Sequence, residues 1–208
     1  MSSLLIRGYA LGFAIAASPG PIFFLCLRRT LVRGRLYGLV SGLGVATADG
    51  FYAALAAFGV AALVSAFVSG RRALALVGGV VLIVLGVRIL LERRKVVVSE
   101  APPSARGLAW AYASTLGLTI TNPATIISFA ALAATLGLGA GGGLARPATL
   151  VAGVVAGSAS WWCALAFTVS AMRARVTPGL VRGISTASGV VIAALGMLAV
   201  VSAFQFAP

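Results

Sequence analysis

Ala17-Ser18-Pro19-Gly20-Pro21-Ile22 interrupts an apolar run that extends over about residues 4–27. A proline inside a helix removes one intrahelical hydrogen bond and clashes with the preceding turn. Two prolines around a glycine therefore predict a broken helix rather than a bent one. A second interruption, Thr121-Asn122-Pro123-Ala124, lies inside the run 108–136. Four more apolar runs, at about 37–66, 73–91, 148–171 and 184–205, have no internal proline.

The chain has 208 residues, of which 61% are hydrophobic and 9% charged. A soluble domain carries about 25% charged residues. At ~20 residues per span plus short connections, the length suits one membrane domain of six helices. The net charge of +13 does not point to nucleic acid, because the basic residues do not interleave with aromatics on a polar face. They cluster between apolar runs, which is how topology is encoded in membrane proteins. The first, third and fifth connections carry four, four and three basic residues; the second and fourth carry two and one. The positive-inside rule then places the odd connections in the cytoplasm and both termini outside. A cleavable leader ending near Ala14-Ile15-Ala16 is the alternative for the first run, but its start is nearly uncharged and apolar sequence continues beyond it.

The chain reads as two halves. Residues 92–107, with Pro102-Pro103, form the longest polar stretch and a natural cytoplasmic linker between repeat 1 (1–91) and repeat 2 (108–208). Residues 139–147 form a second, Gly-rich connection. Gly79-Val80-Val81-Leu82-Ile83-Val84-Leu85-Gly86 matches Gly189-Val190-Val191-Ile192-Ala193-Ala194-Leu195-Gly196 at five of eight positions. Gly42…Thr47-Ala48-Asp49 lies over Gly153…Ser158-Ala159-Ser160, and Gly20-Pro21 over Asn122-Pro123. Three helices per half is an odd number, so the second half enters the membrane from the opposite side. The expected fold is an all-α membrane protein of two inverted-topology three-helix repeats, with helices 1 and 4 broken at their proline motifs.

Paired helix breaks are the best sequence pointer to a transporter binding site. The candidate substrate-binding residues are Pro19, Gly20, Pro21, Asp49, Asn122, Pro123, Thr125 and Ser160. The helix ends that resume at Pro21 and Pro123 suit a carboxylate group. A kink used only for packing is the alternative. Asp49 is the one acid inside an apolar run; Glu92 and Glu100 lie in the polar linker. A carboxylate at mid-bilayer depth costs roughly 2.5–3.5 kcal/mol on insertion scales and normally faces a cavity. Asp49 can hold an ammonium group or carry a proton; a hydrated rim near the membrane surface is the plainer reading. Its expected counterpart in repeat 2 is Ser160. Thr119, Thr121, Asn122, Thr125 and Ser128 form a polar stripe that suits either a cavity or interhelical hydrogen bonds. Trp161 and Trp162 fall inside the fifth run, where one of them can pack by the site.

There is no histidine, and Cys26 and Cys163 are isolated. No metal or cofactor is expected from such a donor set. Gly38, Gly42 and Gly44 are expected to allow close helix packing, and small-residue faces of this kind are compatible with a homodimer.

The combination Ser18-Pro19-Gly20-Pro21, Leu27-Arg28-Arg29-Thr30, Gly42-Leu43-Gly44…Ala48-Asp49 and Thr121-Asn122-Pro123 resembles the LysE/RhtB amino-acid exporter family over essentially the whole chain. The resemblance implies a bacterial inner-membrane secondary transporter that exports amino acids or related small solutes, driven by the proton gradient. It also implies that Pro19, Gly20, Pro21, Asp49, Asn122 and Pro123 occupy the family's motif positions. Many members carry a basic residue just after the Asn-Pro; here Ala124-Thr125 follows, as in a less characterised branch. Export of a cation or other small solute is the second reading, and a non-transporting membrane partner subunit another. A membrane-embedded enzyme is disfavoured, since the chain offers almost no acid–base pair.

Overall fold

Apolar runs rich in Ala, Leu and Val can satisfy their backbone polar groups in a bilayer only by folding as helices or closed barrels, and here they fold as helices. A computed structural model describes residues 2–58, 70–92, 102–136, 144–172 and 177–205. Among them are eight helices: α1 (Ser2–Ala17), α2 (Pro21–Arg33), α3 (Arg35–Ala57), α4 (Arg71–Glu92), α5 (Ala105–Ile120), α6 (Pro123–Leu136), α7 (Ala145–Met172) and α8 (Pro178–Gln205). No strand occurs among the described residues. Helices α3, α4, α7 and α8 are each long and apolar enough to cross a membrane. The chain is a multi-pass membrane protein.

Both proline motifs interrupt a helix. Ser18–Gly20 separate α1 from α2, whose axes are bent by 78°. Thr121 and Asn122 separate α5 from α6, of 16 and 14 residues. The six runs thus become unbroken and interrupted helices. Four are single helices, and the pair α1–α2 together makes a fifth candidate span. Helices α5 and α6 are each shorter than the ~20 residues a span needs. The end of the second run, most of the 92–107 linker and most of the 139–147 segment lie outside the described residues.

The first connection differs from expectation. Arg28, Arg29 and Arg33 belong to α2, not to a polar loop. The reversal into α3 takes a single residue, Gly34, whose φ of 94° lies in the left-handed region that glycine adopts without strain. Ile22, Leu25, Cys26, Arg29 and Thr30 are all buried on one face of α2. They are spaced i, i+3, i+4, i+7, i+8, so the inward stripe continues through the arginine.

Helix α3 is the central element, in contact with α7, α5, α2 and α6. Helix α1 lies along α7, and α4 along α8. These last two pairs meet backbone to backbone. A Cβ at Gly12 would collide with the carbonyl of Val154, and one at Gly157 with the carbonyl of Tyr9. Between α4 and α8, a Cβ at Gly79 would press on Gly196, and one at Gly86 on the Gly189 carbonyl. Close approach through small residues is the usual basis of helix association in membranes. Gly38, Gly42 and Gly44 are likewise filled from within the chain, by Thr30, Trp162 and Thr115. These three glycines thus serve intrachain helix packing.

Candidate functional site

Asp49 sits more than halfway along α3, four helical turns from Arg35, and is only 2% exposed. The Ser158 hydroxyl of α7 donates to Asp49 Oδ2 at 2.7 Å. Asp49 lines a cavity of about 50 Å³, with room for roughly three or four waters. Both helix breaks open onto it. Ser18, Gly20 and Pro21 contribute the first, and Thr119, Asn122 and Thr125 the second. The wall is completed by apolar groups, among them Val45, Phe23 and Trp162.

The two interrupted helices end differently at this cavity. At α6, Asn122 closes its own helix end: Oδ1 accepts from the Ala124 amide at 3.2 Å, and Nδ2 donates to Thr125 Oγ1 at 3.1 Å. At α2, Gly20 occupies the cap position and no side chain caps the helix. A Cβ built on Gly20 would meet nothing within 4 Å. The bare end of α2 carries the partial positive charge of a helix N-terminus. The cavity is therefore dipolar, with the α2 amide end and the Asp49 carboxylate as its poles.

Neighbouring polar groups hold the breaks in place. Tyr52, one turn beyond Asp49, donates its hydroxyl to the carbonyl of Ile120, the last residue of α5. Thr121 and Asn122 amides return to Gly117 and Thr119 carbonyls. Backbone groups freed by a break in a bilayer need such partners, and α3 supplies one from beside the site.

Of the residues singled out from sequence, Gly20, Pro21, Asp49, Asn122 and Thr125 line one cavity. Pro19 lies at the exposed edge of the first break, and Pro123 opens α6 immediately after Asn122. Ser160 is directed elsewhere: its Oγ is 2.8 Å from Tyr9 Oη and 2.8 Å from the Gly157 carbonyl. Ser158 takes the place at Asp49 expected for Ser160. In the polar stripe, Ser128 donates to the Ala124 carbonyl within α6, and Thr121, at the end of α5, donates to the Gly117 carbonyl. Trp162 lines the cavity, whereas Trp161 packs edge-on against Phe13 with ring centroids 5.3 Å apart.

Arg29 was not singled out for the site. It is 9% exposed and donates from Nη1 to Ser41 Oγ at 3.1 Å and to the Ala111 carbonyl at 3.0 Å, and from Nη2 to Ser114 Oγ at 2.8 Å. Its helical spacing from Ile22 and Cys26 was the signal in the sequence, hidden by its membership of a basic cluster.

A multi-pass helical protein with two interrupted helices meeting at a buried carboxylate has the build of a membrane translocator. The family model for the LysE type translocator matches residues 13–203, and the chain belongs to that family. The uncharacterized membrane protein YahN of Escherichia coli (strain K12) is 36% identical over 66 residues, which span 32% of this chain and 30% of that protein. No solved structure matches the chain.

Proposed function

We propose that the protein is a secondary active transporter that exports amino acids or related small solutes across the bacterial inner membrane, coupled to protons and working by alternating access. The observation that carries this reading is the single cavity onto which Asp49 and both helix breaks open. A zwitterion fits its polarity: the carboxylate at the bare N-terminus of α2, the ammonium group at Asp49. Proton exchange at Asp49 resets the empty carrier.

Alternating access requires two parts that rock against each other, and an inverted repeat supplies them. Paired contacts support that architecture. Tyr9 of α1 meets Ser160 of α7, and Tyr112 of α5 meets Thr47 of α3 at 3.0 Å. Gly157 abuts the Tyr9 carbonyl and Phe13 amide, as Gly44 abuts the Tyr112 carbonyl and Leu116 amide. The Gly79–Gly196 and Gly86–Gly189 contacts are exchanged in the same manner. This register pairs Thr47 with Ser160, and hence Asp49 with Trp162 rather than with Ser160. Exposed Arg33, Arg35, Arg106 and Arg182 mark the cytoplasmic side in this reading, with both termini outside and residues 92–107 as the cytoplasmic linker.

The test is efflux of a labelled amino-acid panel from proteoliposomes under an imposed pH gradient. Export of at least one member, lost in Asp49→Asn, is the expected result. Wild-type export by Asp49→Asn at every pH would remove Asp49 from the mechanism. No export of any panel member would remove the amino-acid reading.

A further inference from the structure

We propose that Arg29 is the positioning residue of a gate that closes the cavity on the side of the Gly34 turn, by tying the half-helix α2 to α3 and α5. The inference rests on the alternating-access reading but is carried by different atoms. Helix α2 starts at the cavity with Pro21, Ile22 and Phe23 and ends at Gly34. Arg29 lies eight residues beyond Pro21, roughly 12 Å along the helix at 1.5 Å per residue. Its partners lie in the same layer: Ser41 is two turns before Asp49 on α3, and Ala111 and Ser114 precede Thr119 on α5. Thr115 Oγ1 adds a second tie in this layer, 2.7 Å from the Ser41 carbonyl. Between the cavity and this layer sits an apolar plug that includes Leu25, Cys26 and Leu118.

Four features suit Arg29 to opening and closing rather than to permanent bracing. Its guanidinium bonds a carbonyl and two hydroxyls and forms no ion pair among the described residues. Release therefore leaves no carboxylate stranded in the protein, the outcome that makes breaking a buried ion pair so unfavourable. The side chain is long, and the α2–α3 turn with exposed Arg33 and Arg35 is about one turn away, so a released guanidinium can reach water by extending along its stem. Helix α2 is also bounded at both ends by interruptions of the helical backbone, the Ser18–Gly20 break and Gly34. Backbone contacts between α2 and α5 are sparse, so the arginine side chain supplies much of what joins them.

Cys26 reports on the gate. It is one turn from Arg29, 1% exposed, and with Cys163 makes up all the cysteine in the chain. In a Cys163→Ser background, a water-soluble maleimide applied to permeabilised membrane vesicles labels Cys26 only when the plug is hydrated. Arg29→Gln is expected to raise the labelling rate about tenfold, from the strength of hydrogen bonds to a charged group. Ser114→Ala, which removes one partner, moves it in the same direction by less, and Arg29→Lys by less again than Arg29→Gln. Should Arg29→Gln fail to yield folded protein, Ser114→Ala and Arg29→Lys decide. Labelling equal to the parent in the folded variants overturns the gate, with export intact or not. Faster labelling in a protein that exports no panel member supports the gate and refutes only the amino-acid reading.

Discussion

Replacing Tyr52 by Phe removes one oxygen at the second helix break. The ring keeps its stack on Phe129, with centroids 5.9 Å apart. What goes is the hydroxyl donated to the Ile120 carbonyl at the end of α5. In water that carbonyl would find a new partner. Among packed helices it has only what the fold supplies. Polar contacts between membrane helices are worth about 0.6 kcal/mol on average and about 1.7 at most. This one serves a helix end with no continuing intrahelical bond, so about 1 kcal/mol is expected, a factor of about five in an equilibrium constant. Thermal unfolding of Tyr52→Phe in detergent should shift down by about 2–4 °C. The apparent KM for the exported solute should rise by no more than about fivefold, because the loss of one contact cannot shift binding by more than that contact's own energy. Export at saturating substrate should persist. Unchanged stability together with unchanged KM would show that the break holds its shape without Tyr52. A loss much beyond fivefold would show that Tyr52 meets the substrate itself.

Three further outcomes follow from the same geometry. Gly20→Ser places a hydroxyl in open space at the α2 cap; stability should stay within a few tenths of a kcal/mol of the parent, while export falls because the helix end is closed by its own residue, to be read by paired unfolding and efflux assays. Gly157→Val drives a side chain into the Tyr9 carbonyl and should destabilise the α1–α7 pair by about 1–3 kcal/mol, seen as a lower unfolding midpoint that Gly117→Val, where a Cβ meets nothing within 4 Å, does not share. Trp162→Ala removes the largest group on the cavity wall and should move the export preference toward solutes with larger side chains, measured by competition within the labelled panel.

Much of this protein is legible in its sequence alone. Pro19-Gly20-Pro21 and Asn122-Pro123 mark the two interruptions because proline lacks an amide and clashes with the turn before it, whatever surrounds it. The helical character of the apolar runs follows from the same local logic, since a bilayer leaves the backbone few alternatives. The cost of placing a carboxylate in an apolar run singles out Asp49. What the sequence left open was facing. Ser158 and Ser160 are two residues apart and chemically identical, yet helical rotation turns one to Asp49 and the other to Tyr9. Arg29 belongs to a basic cluster by composition, and only the path of α2 to Gly34 carries it inward to Ser41 and Ser114. Local chemistry decides where a helix breaks. Which side chains then meet across the break depends on the rotation and approach of helices far apart in sequence, and those are set by the backbone contacts at Gly12, Gly157 and their counterparts.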